Sequence, residues 1–122
     1  MSKRIMIVDD SRMLLMQLQK LLEDTEYEVA AYCQDGETAI SKYEEILPDL
    51  VTMDIIMPGI DGLEAARTIL ESHPDAKIVM LSSLVYDDTI NEAKSIGAKA
   101  FIYKPFERDQ VLTTLKKVLE EG

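Results

Sequence analysis

The sequence is poor in the residues that form cross-links and soft metal sites. Cys33 is the only cysteine among 122 residues, so no intramolecular disulfide can form. This fits a reducing compartment. The single histidine, His73, lies in a polar turn, so the sequence does not indicate a histidine-rich metal site.

Long apolar runs and an excess of basic residues are also missing. No stretch approaches the about 20 apolar residues of a membrane-spanning helix. The apolar run after Lys3 and Arg4 is too short for a signal-peptide core. The formal net charge of −10 disfavours nonspecific binding to nucleic acid or to an anionic membrane. We therefore expect a cytoplasmic protein without membrane insertion or direct contact with nucleic acid.

The composition that is present is that of a globular protein. Hydrophobic residues make up 47% and charged residues 30% of the chain, which argues against disorder. A length of 122 residues suits one compact domain. We expect a single domain over residues 1–122, and no output domain is visible after the last predicted helix.

Short apolar runs alternate with longer stretches of helical periodicity. The predicted strands are Ile5–Val8, Val29–Cys33, Leu50–Met53, Ile78–Leu81 and Ala100–Tyr103. Three of these are apolar almost throughout, as expected for strands covered on both faces. Five βα units predict an α/β fold with a doubly wound, five-stranded parallel sheet and five helices. The third helix is predicted to start near Gly62, and Asp87 or Asp88 to cap the fourth.

Acidic residues follow two strands of this predicted sheet. Asp9 and Asp10 end the first strand and Asp54 ends the third, and these strands are neighbours at the switch point of a doubly wound sheet. Taken alone, the Asp9-Asp10 pair would be read as a helix cap. Three crowded carboxylates, however, would raise one another's pKa and cost stability unless a cation joined them. Mg²⁺ prefers oxygen ligands, so the pattern predicts a magnesium site.

Two further residues supply groups for phosphate chemistry at the same rim. Lys104 follows the fifth strand and Ser82 ends the fourth. A lysine ammonium can pair with one phosphoryl oxygen, and a serine hydroxyl can donate to another. Together with Asp54 and Mg²⁺, they make up a phosphoryl-transfer site with a carboxylate nucleophile.

Four motifs carry a resemblance to a known family. They are IMIVDDS at 5–11, VTMDIIMPGIDG at 51–62, IVMLSS at 78–83 and FIYKPF at 101–106. Each lies at a predicted strand end, and together they cover the chain from about Lys3 to the last helix. The sequence resembles a receiver domain of two-component signalling, of the CheY-like single-domain type. The resemblance implies the strand order 2-1-3-4-5 of flavodoxin-like and CheY-like folds.

The resemblance also implies the roles of individual residues. Asp54 matches the phospho-acceptor, and Lys104 matches the lysine that pairs with the phosphoryl group. Asp9 and Asp10 match the acidic Mg²⁺ ligands, joined by Asp54 and by the main-chain carbonyl of Ile56. The proline after Lys104 usually follows a cis peptide bond in this family.

The remaining matches concern switching and signal lifetime. Ser82 matches the switch hydroxyl, and Phe101 matches the switch aromatic. Ile56 and Leu84 occupy the positions that tune dephosphorylation. Neither side chain can form a hydrogen bond, which predicts slow loss of the phosphoryl group.

The implied function is that of a phosphorylation-activated switch rather than an enzyme. The expected donor is a sensor histidine kinase or phosphotransfer protein. The expected target is a protein that binds the fourth helix, fifth strand and fifth helix, and the chain would be a monomer or a phosphorylation-dependent dimer. A role in chemotaxis follows by analogy alone.

Two alternatives remain open at this point. The chain could be the receiver of a larger regulator, such as a DNA-binding factor or a methylesterase. The segment Ser82-Ser83-Leu84 faintly resembles the receiver of the methylesterase. It could also be a small Mg²⁺-dependent phosphatase with an aspartyl-phosphate intermediate. Such enzymes have a second aspartate two residues after the nucleophile, where this chain has Ile56.

Overall fold

The computed structural model describes residues 2–84 and 86–121. Its strands are β1 (Lys3–Val8), β2 (Tyr27–Cys33), β3 (Leu50–Asp54), β4 (Ile78–Ser82) and β5 (Ala100–Tyr103). Its helices are α1 (Arg12–Leu22), α2 (Gly36–Ile46), α3 (Gly62–Ser72), α4 (Asp87–Ile96) and α5 (Arg108–Glu120). In this part of the chain no helix combines the length and the apolar character needed to cross a bilayer.

The five strands form one parallel sheet. Their order is β2-β1-β3-β4-β5, which confirms the predicted fold class and topology. β3 and β4 are buried at every position, as their mostly apolar sequences predict. β1 and β2 begin two residues earlier than predicted, because Lys3, Arg4, Tyr27 and Glu28 also pair in the ladder.

Helices cover both faces of the sheet and divide the core in two. Successive strand residues point to opposite faces. Thus Ile5 and Ile7 of β1 pack toward α1 and α5, whereas Met6 and Val8 pack toward α2, α3 and α4.

Three helices have a side-chain cap, and α3 begins at Gly62 as predicted. Ser11, Asp35 and Asp61 each accept a hydrogen bond from the main-chain N–H three residues later. The predicted capping of α4 by Asp87 or Asp88 is wrong. The helix begins one residue earlier than that prediction requires, with Tyr86 at the cap position and no side-chain hydrogen bond. Both aspartates therefore lie in the first helical turn, where their charge favours the helix dipole.

Candidate functional site

The polar residues singled out in the sequence meet at one edge of the sheet. Asp54 and Ser82 are the last residues of β3 and β4, while Asp9 and Lys104 directly follow β1 and β5. Since all four strands run parallel and adjacent, their carboxyl ends bring these side chains to one side. Asp9, Asp54 and Ser82 are buried, which is unusual for polar groups and requires partners.

The three acidic side chains form a cluster. One carboxylate oxygen from each of Asp9, Asp10 and Asp54 lies within 4.8 Å of the other two. Asp10 is exposed, so the cluster opens to solvent on one side. Asp9 is fixed by a hydrogen bond that its Oδ1 accepts from the Ser11 N–H, at 2.9 Å. An all-oxygen donor set with three negative charges fits a hard divalent cation such as Mg²⁺.

Lys104 joins two of these carboxylates from the other side. Its Nζ lies 2.9 Å from Asp9 Oδ2 and 3.0 Å from Asp54 Oδ1. The lysine side chain is largely buried, so both ion pairs are shielded from water. The main chain holds Lys104 in place as well, because its N–H donates to the Ser82 carbonyl at 2.9 Å.

Burial and charge oppose each other in setting the protonation of these groups. Burial raises the pKa of Asp54, the Lys104 hydrogen bond lowers it, and the charges of Asp9 and Asp10 raise it again, to about 6. Burial alone would lower the pKa of Lys104, but its hydrogen bonds with Asp9 and Asp54 raise it. Asp54 is therefore mostly ionised at neutral pH, and Lys104 is positively charged.

The predicted switch residues lie beside the cluster, not within it. The Ser82 hydroxyl accepts a hydrogen bond from the Leu84 N–H at 3.0 Å. Phe101 is partly buried against the core below α4, and its ring centroid lies 5.4 Å from that of Tyr103. Leu84 is partly buried against the same core, whereas Ile56 is exposed in the β3–α3 loop.

Two contacts near the site are not predicted by the sequence. Gln34 Nε2 lies 3.4 Å from the Asp10 carbonyl oxygen, across 24 residues of sequence, and no local pattern indicates such a contact. Gly62 N donates to the Ile55 carbonyl at 2.6 Å and brings the start of α3 against the end of β3. The Asp-Gly pair before a helical run predicts a helix start at this position, but it does not predict this contact. The Lys104-Pro105 peptide bond is cis, in agreement with the resemblance.

The sequence is similar to that of a known family and to those of several characterised proteins. The family model described as the response regulator receiver domain matches residues 5–116. The chemotaxis protein CheY of Thermotoga maritima is 42% identical over 118 residues, covering 97% of this chain and 98% of that protein. The chemotaxis protein CheY of Bacillus subtilis is 41% identical over 119 residues, covering 98% and 99%.

Solved structures agree with these sequence matches. The crystal structure of the CheX-CheY-BeF3-Mg²⁺ complex from Borrelia burgdorferi contains a chain with a TM-score of 0.92 and 33% identity, covering 95% of this chain and 88% of that one. The response regulator domain of Thermotoga maritima CheB has a TM-score of 0.86 and 32% identity, with 99% and 96% covered. The likeness extends over the whole sheet and its five helices.

Proposed function

The chain belongs to the response-regulator receiver family of two-component signalling, and we propose that it is a switch activated by Mg²⁺-dependent phosphorylation of Asp54. The observation that carries this proposal is the position of the Asp54 carboxylate. It lies at the end of β3, beside two further carboxylates and 3.0 Å from the Lys104 ammonium. A nucleophile, an anion-binding cation and an oxygen donor set for a metal thus occupy one small volume.

The proposed reaction transfers a phosphoryl group from a phosphohistidine of a sensor kinase or phosphotransfer protein. An Asp54 carboxylate oxygen forms the new O–P bond as the N–P bond of the donor breaks, which leaves the donor histidine free and Asp54 as an acyl phosphate. Lys104 pairs with a phosphoryl oxygen and offsets its charge. Asp9, Asp10, Asp54 and the Ile56 carbonyl would hold Mg²⁺, which neutralises phosphoryl charge when bound.

Activation would change hydrogen bonding at Ser82. Its hydroxyl now accepts from the Leu84 N–H, and turning toward a phosphoryl group would break that bond. The loop after β4 would then move and Phe101, which is only partly buried, would repack. Such a local event shifts an existing equilibrium between two states, and the new state is the one that a partner recognises.

The region formed by α4, β5 and α5 is less acidic than the rest of the chain. Residues 87–120, from the start of α4 to the end of α5, contain six basic and six acidic residues, whereas the chain as a whole carries −10. A groove of about 340 Å³ between β5 and α5 is lined by Lys99, Phe101 and Lys117, and Tyr103 is exposed nearby. We propose that this face binds an acidic protein segment. The CheY relatives support a target in chemotaxis.

The phosphorylated form should be long-lived for a receiver. Ile56 and Leu84 lie two residues beyond Asp54 and Ser82, and neither side chain can orient an attacking water molecule by a hydrogen bond. Loss of one positioning contact costs about 1–3 kcal/mol of transition-state stabilisation, or about one to two decades in rate. The double variant Ile56→Asn/Leu84→Glu should lose phosphate faster than wild type, and equal decay would show that these residues do not set the lifetime.

The function is tested by incubating the protein with Mg²⁺ and acetyl phosphate and measuring intact mass. Wild type should gain one phosphoryl group of about 80 Da, and Asp54→Asn should gain none. Asp75→Asn is a matched control, since Asp75 is exposed and precedes β4 at the opposite edge of the sheet. Labelling of Asp54→Asn equal to that of wild type would exclude Asp54 as the acceptor. Sustained turnover of p-nitrophenyl phosphate would instead favour a phosphatase.

A further inference from the structure

Helices α2 and α3 begin with the same dipeptide, and this allows the role of its glycine to be isolated. Asp35-Gly36 starts α2 and Asp61-Gly62 starts α3. In each case the aspartate caps the helix by accepting from a main-chain N–H, at 2.7 Å for Asp35 and 2.8 Å for Asp61. Capping therefore explains the aspartates in both helices, but it does not explain either glycine.

The surroundings of the two glycines differ in kind. A Cβ added to Gly62 would lie 1.9 Å from the Asp54 carbonyl oxygen and 2.8 Å from the Asp54 carbonyl carbon, both main-chain atoms. The three atoms nearest to a Cβ added to Gly36 are all side-chain carbons, namely Ile60 Cγ1 at 2.7 Å, Ile60 Cδ1 at 3.1 Å and Ala65 Cβ at 3.2 Å. Gly62 thus lies directly on the backbone of the proposed phospho-acceptor, whereas Gly36 lies against the side chains of Ile60 and Ala65.

Closeness, and not backbone conformation, is what requires glycine at position 62. Its φ lies outside the left-handed region, so alanine could adopt the same backbone angles. Alanine would nevertheless have to move away from the Asp54 carbonyl by about 1 Å to reach a tolerable contact. Neither side moves freely, because β3 is paired on both edges and α3 has six buried residues. The displacement would therefore reach Asp54 itself.

We propose that Gly62 is a positioning residue for the phosphorylation of Asp54: its missing side chain lets α3 rest on the Asp54 carbonyl and sets the carboxylate relative to Asp9, Asp10 and Lys104. This inference rests on the function proposed above. Misplacing a reacting group by about 1 Å costs about 10²-fold in rate. A side chain at position 62 should therefore slow the phosphorylation of Asp54. This loss of rate should be larger than the accompanying loss of stability explains.

The test compares Gly62→Ala with Gly36→Ala, both at the first residue of a helix capped by aspartate. For each variant we would measure the melting temperature, the Mg²⁺ concentration that half-saturates its stabilising effect, and the rate of labelling by acetyl phosphate well below melting. Gly62→Ala should label about 10–100-fold more slowly and need more Mg²⁺. Gly36→Ala should keep both properties close to wild type, even where its melting temperature falls as far.

A second pair keeps the inference testable if Gly62→Ala does not fold. Leu63 and Leu70 are both buried residues of α3, but Leu63 lies next to the contact with Asp54 and Leu70 lies two turns away. At comparable loss of stability, Leu63→Ala should slow labelling and weaken the Mg²⁺ effect more than Leu70→Ala. Equal effects within each folded pair would overturn the role of Gly62. Absence of labelling in wild type would instead overturn the proposed function and leave the Mg²⁺ comparison as the measure of positioning.

Discussion

Helices α3 and α4 cover the same face of the sheet but are held to it very differently. α3 has six buried residues and a side-chain cap from Asp61, whereas α4 has one buried residue, Ala93, and no side-chain cap. α3 also rests on the backbone of Asp54, while α4 packs near the partly buried Phe101. The helix that contacts Asp54 is therefore the strongly packed one, and we expect the adjacent helix to be the easier of the two to displace.

This difference fits the two tasks of a receiver. A phosphoryl-transfer site needs its groups held in place, because misalignment costs rate. A signalling surface needs two arrangements that differ little in free energy, so that one new charge can change their populations. Packing that was equally tight on both helices would serve the first task and hinder the second.

The largest difference between the two helices should appear when one isoleucine in each is truncated to alanine. Ile69 of α3 is buried and Ile90 of α4 is partly exposed. Ile69→Ala should lower the free energy of unfolding by about 2–4 kcal/mol, through lost burial and a residual cavity. Ile90→Ala should lower it by less than about 1 kcal/mol. Urea denaturation measures both, and equal losses would show that α4 is as firmly packed as α3.

Removing the charge of Asp54 should stabilise the metal-free protein. Burial raises the pKa of Asp54 in the folded protein to about 6, whereas the ordinary pKa of an aspartate carboxyl is 3.8. Stability contributed by this group is thus present at low pH and is lost as the pH rises through that interval. Asp54→Asn should raise the free energy of unfolding by about 1–3 kcal/mol above pH 7 and by little near pH 4.

The control for this prediction is added Mg²⁺. The cation should stabilise wild type, in which three carboxylates face one another, and should stabilise Asp54→Asn or Asp10→Asn much less. An equal concentration of choline chloride should have little effect on any of the three. A gain for Asp54→Asn that is the same at low and high pH would show that ionisation of Asp54 carries no cost in the fold.

The sequence predicts the positions of the site residues well because strand ends are marked by local signals. Asp9, Asp54, Ser82 and Lys104 each follow an apolar run, and parallel pairing brings strand ends together whatever the details of packing. What the sequence does not predict is contact that depends on how deeply an element packs. The close approach of Gly62 to the Asp54 carbonyl depends on how tightly α3 packs on the sheet, and no residue pattern predicts that distance.

The failed prediction at α4 has a related cause. Asp87 and Asp88 are residues typical of a helix cap, and local preference alone places one of them there. In the structure the helix starts one residue earlier, so both aspartates lie in its first turn, where their negative charges interact favourably with the helix dipole. Cap preferences are worth about 1 kcal/mol, so the path of the loop after β4 can override them.

The two helix starts should therefore respond differently to loss of an aspartate. Asp61 Oδ1 accepts from the Glu64 N–H at 2.8 Å, so Asp61→Ala should cost about 1 kcal/mol of unfolding free energy. Asp88 lies within the first turn of α4, and Asp88→Ala should cost about 0.3–0.5 kcal/mol through the helix dipole alone. Added salt should reduce the second loss more than the first. Equal losses with equal salt dependence would indicate that Asp88 forms a cap in solution.

The smallest effect concerns an ion pair that joins the two helices. Arg67 of α3 and Glu92 of α4 lie 3.1 Å apart, with each side chain about half exposed. Such exposed pairs contribute little, so a double-mutant cycle with Arg67→Ala and Glu92→Ala should give a coupling free energy of about 0.2–0.5 kcal/mol. At about 1 M NaCl the coupling should vanish, because the Debye length shrinks to about 3 Å.

A matched pair separates the link between helices from the general value of an exposed ion pair. Lys42 and Glu45 lie 3.2 Å apart within α2, so their interaction does not depend on how one helix sits on another. If α4 is held weakly, losing the Arg67–Glu92 pair should also increase hydrogen exchange at α4 amides, by about twofold for about 0.4 kcal/mol. Loss of the Lys42–Glu45 pair should leave α4 exchange unchanged. Faster exchange at α3 rather than at α4 would contradict the view that α4 is the more weakly packed helix. The ion pair would then stabilise α3, the helix that begins at Gly62.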